Sequence, residues 1–231
     1  MTSGRRDAGR RPAAVAVILA GLAACPAAAL AGDGAAAQEA VYGRQHLDNV
    51  AAPTTLEYTF RRTGTLLPEA EDDAALDVTA VQPDGRKLVA FRLFSGPNER
   101  RLEPGRGYRN NPLIVVFLQR DVEQMGRMTG GSPHYFRNRI RDAFGRDGAV
   151  SAEPVTVAFG ERRLEGTKVT VEPFARDPNL LRFPDFARKR YEFVLAPDIP
   201  GGVYSLRAVT PNGAGDGEPL LDESMTYSGE R

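Results

Sequence analysis

The residues best suited to chemistry lie together between Ser132 and Arg146. Ser132 and His134 could form a nucleophile and its base, but side chains two positions apart on a helix do not face each other. Ser132 also stands directly before Pro133, and this pair is typical of the first positions of a helix. We therefore predict a helix cap at Ser132 and no catalytic residue in this segment.

The same segment contains a candidate docking face made of His134, Tyr135, Arg137 and Arg141. Guanidinium groups bind phosphates, lipid headgroups and acidic protein surfaces through charge-assisted hydrogen bonds. The alternative is a solvated helix face on which the arginines pair locally, for example with Asp142. The sequence leaves both interpretations open.

The sequence lacks the residues and motifs that most other catalytic, cofactor-binding and metal-binding sites require. The chain has one cysteine and two histidines, and it contains neither a phosphate-binding loop, a dinucleotide fingerprint, HExxH nor GxSxG. We therefore expect no enzyme activity, no cofactor and no metal site. Without residues 1–31, the chain has 26 basic and 29 acidic residues. This near balance gives no reason to expect nucleic acid as a partner.

A helical hairpin over residues 111–144 must position these side chains. Asn110 or Asn111 can cap a first helix that has Pro112 in its first turn, and the glycines at 130–131 are typical of its end. A second helix follows Ser132. The first helix carries an apolar stripe, which we predict to line a ligand cleft: Ile114, Phe117, Leu118, Val122 and Met125.

Alternating apolar residues on both sides of the hairpin predict about eight short strands. Residues 82–86, Gln-Pro-Asp-Gly-Arg, indicate a tight turn between two of them. The fold class expected is α+β. It would be a single, mostly antiparallel sheet in one domain over residues 53–231, with the helical hairpin inserted. The alternation leaves open whether the sheet is a curved sheet, a half-barrel or a sandwich.

The first 31 residues are typical of a secretory signal. Four arginines precede the uncharged apolar run at 13–24, which is too short to span a bilayer. Two endings remain open: cleavage after Ala29-Leu30-Ala31, or acylation of Cys25 after Leu22-Ala23-Ala24, as in bacterial lipoproteins. We expect export to the bacterial periplasm, with membrane attachment only if Cys25 is acylated. Residues 32–52 are rich in alanine and polar residues and are predicted to be a flexible leader.

A signal followed by antiparallel strands and a helical insert is similar to exported carriers of the lipoprotein-localisation type. That resemblance implies a curved sheet that holds acyl chains under helices. We therefore expect a non-catalytic binding or carrier module, whose partner is an apolar small molecule or another envelope protein. The alternative is a structural or regulatory envelope protein that makes protein contacts through the arginine-bearing helix at 133–146.

Overall fold

Nine antiparallel strands form one sheet in the part of the chain that the computed structural model describes, residues 33–102, 107–175, 177–179, 182–213 and 217–231. The strands are β1 (Thr54–Thr63), β2 (Ala70–Val81), β3 (Lys87–Leu93), β4 (Arg100–Leu102), β5 (Val150–Phe159), β6 (Arg162–Val171), β7 (Arg190–Leu195), β8 (Val203–Thr210) and β9 (Leu221–Glu230). The helices are α1 (Asp33–Gln38), α2 (Leu113–Thr129) and α3 (Pro133–Ala143).

The strand order is β4-β3-β2-β1-β9-β8-β7-β6-β5. Strands β1 to β4 form one meander and β5 to β9 form another, and the two are joined where β1 pairs with β9. The link from β4 to β5 therefore has to pass from one edge of the sheet to the other. It contains α2 and α3, so the topology itself brings the hairpin across the sheet. The fold is an α+β half-barrel, a curved antiparallel sheet with helices, and the predicted fold class is confirmed.

Burial alternates along the strands, as expected for a sheet with one covered face. In β3 and β7 every second residue is buried. The apolar stripe of α2 is buried as well, with Ile114, Phe117, Val122 and Met125 almost inaccessible. Burying each such side chain stabilises the fold by about 1.5–3 kcal/mol before conformational entropy is subtracted.

The ends of the two helices follow from their sequence. Asn111 stands directly before Pro112, the N-cap residue of α2, and its Oδ1 accepts a hydrogen bond from the Leu113 N–H at 3.0 Å, which satisfies the first free N–H of the helix. Gly130 ends α2 with a φ of 69°, a left-handed conformation that costs glycine little. Ser132 occupies the N-cap of α3 with Pro133 directly after it, although its side chain makes no capping hydrogen bond.

The segment at 33–50 differs from the flexible leader that the sequence predicts. It forms α1, a π-helical turn over Glu39–Gly43 and a 3-10 turn over His46–Asn49. Ala37, Val41, Leu47 and Val50 are all buried in the core. Asn49 fixes the segment to the β7–β8 turn, since its Nδ2 donates to the Ile199 carbonyl at 2.7 Å and its Oδ1 accepts from the Gly201 N–H at 2.9 Å. The expectation of flexibility was wrong here because these apolar residues have a packed partner that composition does not reveal.

Two predictions fall on residues 1–32, which the structure does not describe. They are the secretory signal and the acylation of Cys25, and both remain predictions. Within the described ranges, no helix combines the length and the apolar character needed to cross a membrane.

Candidate functional site

Helix α2 is closed on one side and open on the other. Toward the β7–β9 half of the sheet, Phe117 and Met125 are buried among core side chains. Toward the β1–β4 half, an open groove runs beside the helix. We call it the sheet groove. It has two adjoining parts of about 610 and 320 Å³, which share Leu102, Val115 and Val116 as lining residues.

The two parts of the sheet groove differ in polarity. The smaller part is mainly apolar, with walls that include Val41, Val89, Phe91, Tyr108 and Ile114. The larger part combines apolar walls with charged side chains, and its lining includes Phe60, Leu93, Phe94, Arg62, Arg120 and Glu123. Volumes of this size, with apolar walls and a few polar groups, are typical of small-molecule sites.

Two large hydrophobic side chains of the described residues remain exposed, and both lie in the sheet groove. Val115 is 59 % exposed and Leu102 is 43 % exposed. Exposed apolar side chains are common singly, but clustering in a concave groove is characteristic of a binding site. Covering them would remove apolar surface from water and so favour an apolar occupant.

A second groove lies among the three helices, and we call it the helix groove. Its volume is about 370 Å³. Its apolar lining comes from the π-helical turn, α2 and α3 and consists of Tyr42, Val115, Leu118, Val122 and Ile140. Arg137 and Arg141 of α3, with Gln38 and Gln119, supply its polar lining. Val115 lines the helix groove and both parts of the sheet groove, so the two grooves adjoin at this residue.

The structure distributes the five predicted cleft residues over three places. Ile114 lines the smaller part of the sheet groove, and Leu118 and Val122 line the helix groove. Phe117 and Met125 line neither groove and belong to the solid core. The open space lies beside the apolar stripe of α2, because the stripe faces the sheet and its side chains are packed in the core. Val115, an apolar residue of α2 outside the predicted cleft, is the residue of the sequence that could have indicated the groove.

The predicted docking face is divided as well. Tyr135 turns toward Phe183 and Asp177, and its hydroxyl donates a hydrogen bond to Asp177 Oδ2. His134 Nε2 lies 3.0 Å from Asn138 Nδ2. Burial, followed by the hydrogen bond to Asp177, raises the pKa of the Tyr135 phenol. Arg137 and Arg141 are exposed on the other side, at the helix groove.

A buried polar cluster under α2 was not predicted from the sequence. Lys189 Nζ lies 2.9 Å from Asp121 Oδ1, and each side chain is only 1 % exposed. The Tyr191 hydroxyl donates to the other oxygen of Asp121 at 2.6 Å. Burial, followed by the charge of Asp121, raises the pKa of Tyr191 well above its ordinary value. The cluster ties α2 to β7 through charges that are fully withdrawn from water.

Glu223 of β9 forms the second part of this cluster. Arg120 donates to both of its carboxylate oxygens, at 2.9 and 3.1 Å, and Gln124 donates to Oε2 at 2.9 Å. Burial alone would raise the pKa of Glu223, but the hydrogen bonds and charge of Arg120, with the charge of Lys189, hold it below its ordinary value. Glu223 therefore anchors α2 to the centre of the sheet as a carboxylate.

Arg120 connects the buried polar cluster to the wall of the sheet groove. Its guanidinium carbon lies 4.7 Å from the ring centroid of Phe60 and 5.3 Å from that of Phe94. Such cation–π contacts contribute about 0.5–2 kcal/mol each, depending on exposure. Arg120 shares the Glu223 carboxylate with Arg62, whose Nη1 lies 3.6 Å from Oε1, and its guanidinium forms part of the groove wall.

His46 is buried beside Asn111. Its Nε2 lies 2.8 Å from the Ala40 carbonyl, which can only accept, and its Nδ1 faces the Asn111 N–H at 3.4 Å, which can only donate. These partners fit the neutral imidazole with its proton on Nε2. Burial lowers the pKa of His46, and the nearby Arg44 lowers it further, while the bond to Ala40 opposes this.

In the ranges that the structure describes, no group of three or more histidine, cysteine, aspartate or glutamate side chains is placed to hold a metal ion. Ser132 and His134 point to separate roles, as a helix N-cap and a partner of Asn138. The grooves offer apolar walls with charges at their margins.

No protein-family model matches the chain, and a comparison with curated proteins gives no match. Several solved structures resemble it at low identity, among them the following three. The Mycobacterium tuberculosis lipoprotein LppX is 15 % identical, with a TM-score of 0.34, over 84 % of this chain and 94 % of that one. LprF from Mycobacterium bovis is 13 % identical, with a TM-score of 0.32, over 86 % and 94 %. A LolA superfamily protein from Nitrosomonas europaea is 8 % identical, with a TM-score of 0.22, over 84 % and 92 %.

Proposed function

We propose that this chain is a non-catalytic binding or carrier module that holds an apolar ligand, or the apolar part of an envelope component, in the sheet groove. The observation that carries the proposal is the clustering of exposed Val115 and Leu102 in an open groove beside α2. Such a groove gives an apolar molecule surface to cover without any rearrangement of the core.

The packing of α2 supports a groove that keeps its shape. The buried polar cluster fixes the helix to β7 and β9, and the apolar stripe packs beneath it. A wall fixed on its closed side can present Val115 and Val116 to a ligand at little entropic cost, since the binding surface is already ordered.

The place of action is part of the same proposal. The arginines and apolar run of residues 1–31 favour export, and periplasmic ligands of this kind are envelope lipids or apolar metabolites. Attachment through acylated Cys25 would keep the groove near a membrane surface, whereas cleavage after Ala31 would release the domain.

The test measures binding of the fluorescent apolar probe N-phenyl-1-naphthylamine to the purified protein. Val115→Gln and Leu102→Gln should each weaken binding, because each change removes apolar surface worth about 1 kcal/mol, or roughly five-fold in affinity. Thr156→Gln on exposed β5 is the matched control and should leave affinity unchanged. A wild-type protein that binds no apolar probe, or variants that bind it as tightly, would refute the proposal.

Arg137 and Arg141 support a second candidate function, that of an envelope protein that makes protein contacts. Both are exposed, so an envelope protein that works through protein contacts could use them. A comparison of co-purified partners between wild type and Arg137→Glu/Arg141→Glu tests this. Loss of a specific partner would favour it, and an identical set of partners would contradict it.

A further inference from the structure

The two exposed arginines of α3 are more weakly neutralised than Arg120 and Arg139 of the same hairpin. Arg139 pairs with Asp177 at 2.8 Å and Arg120 with Glu223 at 2.9 Å, in both cases against a carboxylate that is almost fully buried. Arg137 instead donates to a neutral amide oxygen, that of Gln119, at 2.8 and 3.2 Å. No carboxylate of the described residues lies within ion-pair distance of Arg137.

Arg141 is only slightly better matched. Its partner is the adjacent Asp142 at 3.2 Å, and the side chains are 73 % and 49 % exposed. Ion pairs as exposed as this contribute little, about 0–1 kcal/mol. Glu123 is linked to Arg137 only indirectly. The Gln119 amide accepts from Arg137 through its oxygen and donates to Glu123 through its nitrogen. Two guanidinium groups one helical turn apart are therefore available to an anion.

These arginines stand over apolar walls. The helix groove that they line is bounded by Leu118, Val122 and Ile140, with the ring of Tyr42 at one side. An acidic protein segment would place polar backbone against those walls, at a cost in desolvation. An alkyl chain meets them without that cost, so the surroundings select a ligand that is anionic at one end and apolar at the other.

The grooves also connect. Val115 lines both, and Tyr42 lines the helix groove and the smaller part of the sheet groove. A chain that lies in the sheet groove can pass over Val115 and end beside α3.

We propose that the ligand is an anionic amphiphile whose carboxylate or phosphate head binds Arg137 and Arg141, while its alkyl chain follows the helix groove past Val115 into the sheet groove. This inference rests on the proposed function and names the ligand class for it. The shared chemistry is a single alkyl chain with an anionic head, as in a fatty acid or a phosphate monoester lipid. The bidentate geometry of guanidinium suits both heads.

The experiment compares three ligands of equal chain length, dodecanoate, dodecyl phosphate and dodecanol, by displacement of N-phenyl-1-naphthylamine from the purified protein. Wild type should bind at least one anionic ligand about ten-fold more tightly than dodecanol, and this preference should shrink as salt is raised. The ratio of dodecanoate to dodecyl phosphate affinity then distinguishes a fatty acid from a phosphate lipid.

The variant Arg137→Gln/Arg141→Gln should lose that about ten-fold preference, measured as the ratio of anionic-ligand to dodecanol affinity in the same protein. Arg137→Lys/Arg141→Lys should recover part of it, since the charge returns without the planar fork. Arg162→Gln/Arg163→Gln removes the same charge from the exposed start of β6 and is the matched control. All four proteins carry surface substitutions or none, and their thermal melts verify folding.

Three results would overturn the inference. Equal affinity for all three ligands, unaffected by the arginines, would leave the proposed function intact but remove the anionic head. Binding of none of them, nor of the probe, would refute the proposed function itself. Arginine-dependent binding of a glutamate octapeptide, with no preference among the dodecyl ligands, would assign the arginines to a protein partner.

Discussion

Removing one member of the Lys189–Asp121 pair should destabilise the protein strongly. Both side chains are 1 % exposed and lie 2.9 Å apart. Lys189→Met leaves the Asp121 carboxylate buried without its cation, and such a change costs about 3–5 kcal/mol. That is a large part of the roughly 5–15 kcal/mol that holds a typical domain folded. Asp121→Asn should cost somewhat less, because the charge of Glu223 still acts on Lys189.

The double variant Asp121→Asn/Lys189→Met distinguishes a matched buried pair from two independent contacts. Asparagine keeps an oxygen that can accept from the Tyr191 hydroxyl, which now donates to Asp121 at 2.6 Å. The double variant then loses the weak bond from Lys189 to the Thr210 hydroxyl at 3.4 Å and the attraction between Lys189 and Glu223. We expect the double variant to lose about 1–2 kcal/mol, less than either single variant.

Urea unfolding followed by far-UV circular dichroism gives the four free energies of this cycle. The exposed pair Arg86 and Asp84, 3.4 Å apart, is the control, and Arg86→Met should cost at most about 1 kcal/mol. Losses in the double variant that equal the sum of the single losses would refute the reasoning, because they would mean that the two charges do not compensate each other.

Three further changes test the junction between α2 and the segment at 33–50. The free energy of unfolding should fall as pH drops below 6.5, the ordinary pKa of histidine, because the folded state holds His46 neutral while the unfolded state takes up the proton first. Urea titrations at several pH values measure this fall, and it should be absent in His46→Gln. Asn111→Ala should cost about 2–4 kcal/mol, since it removes the acceptor for the first free N–H of α2 and the donor to the Gly201 carbonyl at 2.8 Å; a loss below 0.5 kcal/mol (about one RT) would contradict this. Gly201→Ala should cost at least about 1–3 kcal/mol, because φ is 77° and the new methyl would lie 2.5 Å from Leu56 Cδ1; an unchanged melting temperature would be the contrary result.

The sequence was informative wherever structure follows from neighbours along the chain. The glycine that ends α2 and the turn at 82–86 are local, and the structure has both, while Asn111 accepts a hydrogen bond from the first N–H of α2 from one residue before the N-cap. Alternation along β3 and β7 was enough to predict a sheet with one covered face. Strand β4 was not predicted, because its three residues are all exposed and show no apolar alternation.

The site was harder to predict because it depends on distant residues. Asp121 and Lys189 are 68 residues apart, and Arg120 and Glu223 are 103 apart. No spacing rule links such positions, so the buried polar cluster looked like ordinary surface charge. The predicted cleft failed in part for a related reason. An apolar stripe marks the side of a helix that packs, and the open groove lies on the neighbouring side at Val115.

The pairing of β1 with β9 governs when this protein can finish folding. Thr54–Thr63 meets Leu221–Glu230, so the middle of the sheet is sealed by segments from opposite parts of the sequence. Until the later segment is available, β1 presents an unpaired edge, and the two meanders have no direct strand contact. Contacts of such long range form slowly. The sheet of a nascent polypeptide would thus stay open in its middle until residues 221–230 have been made.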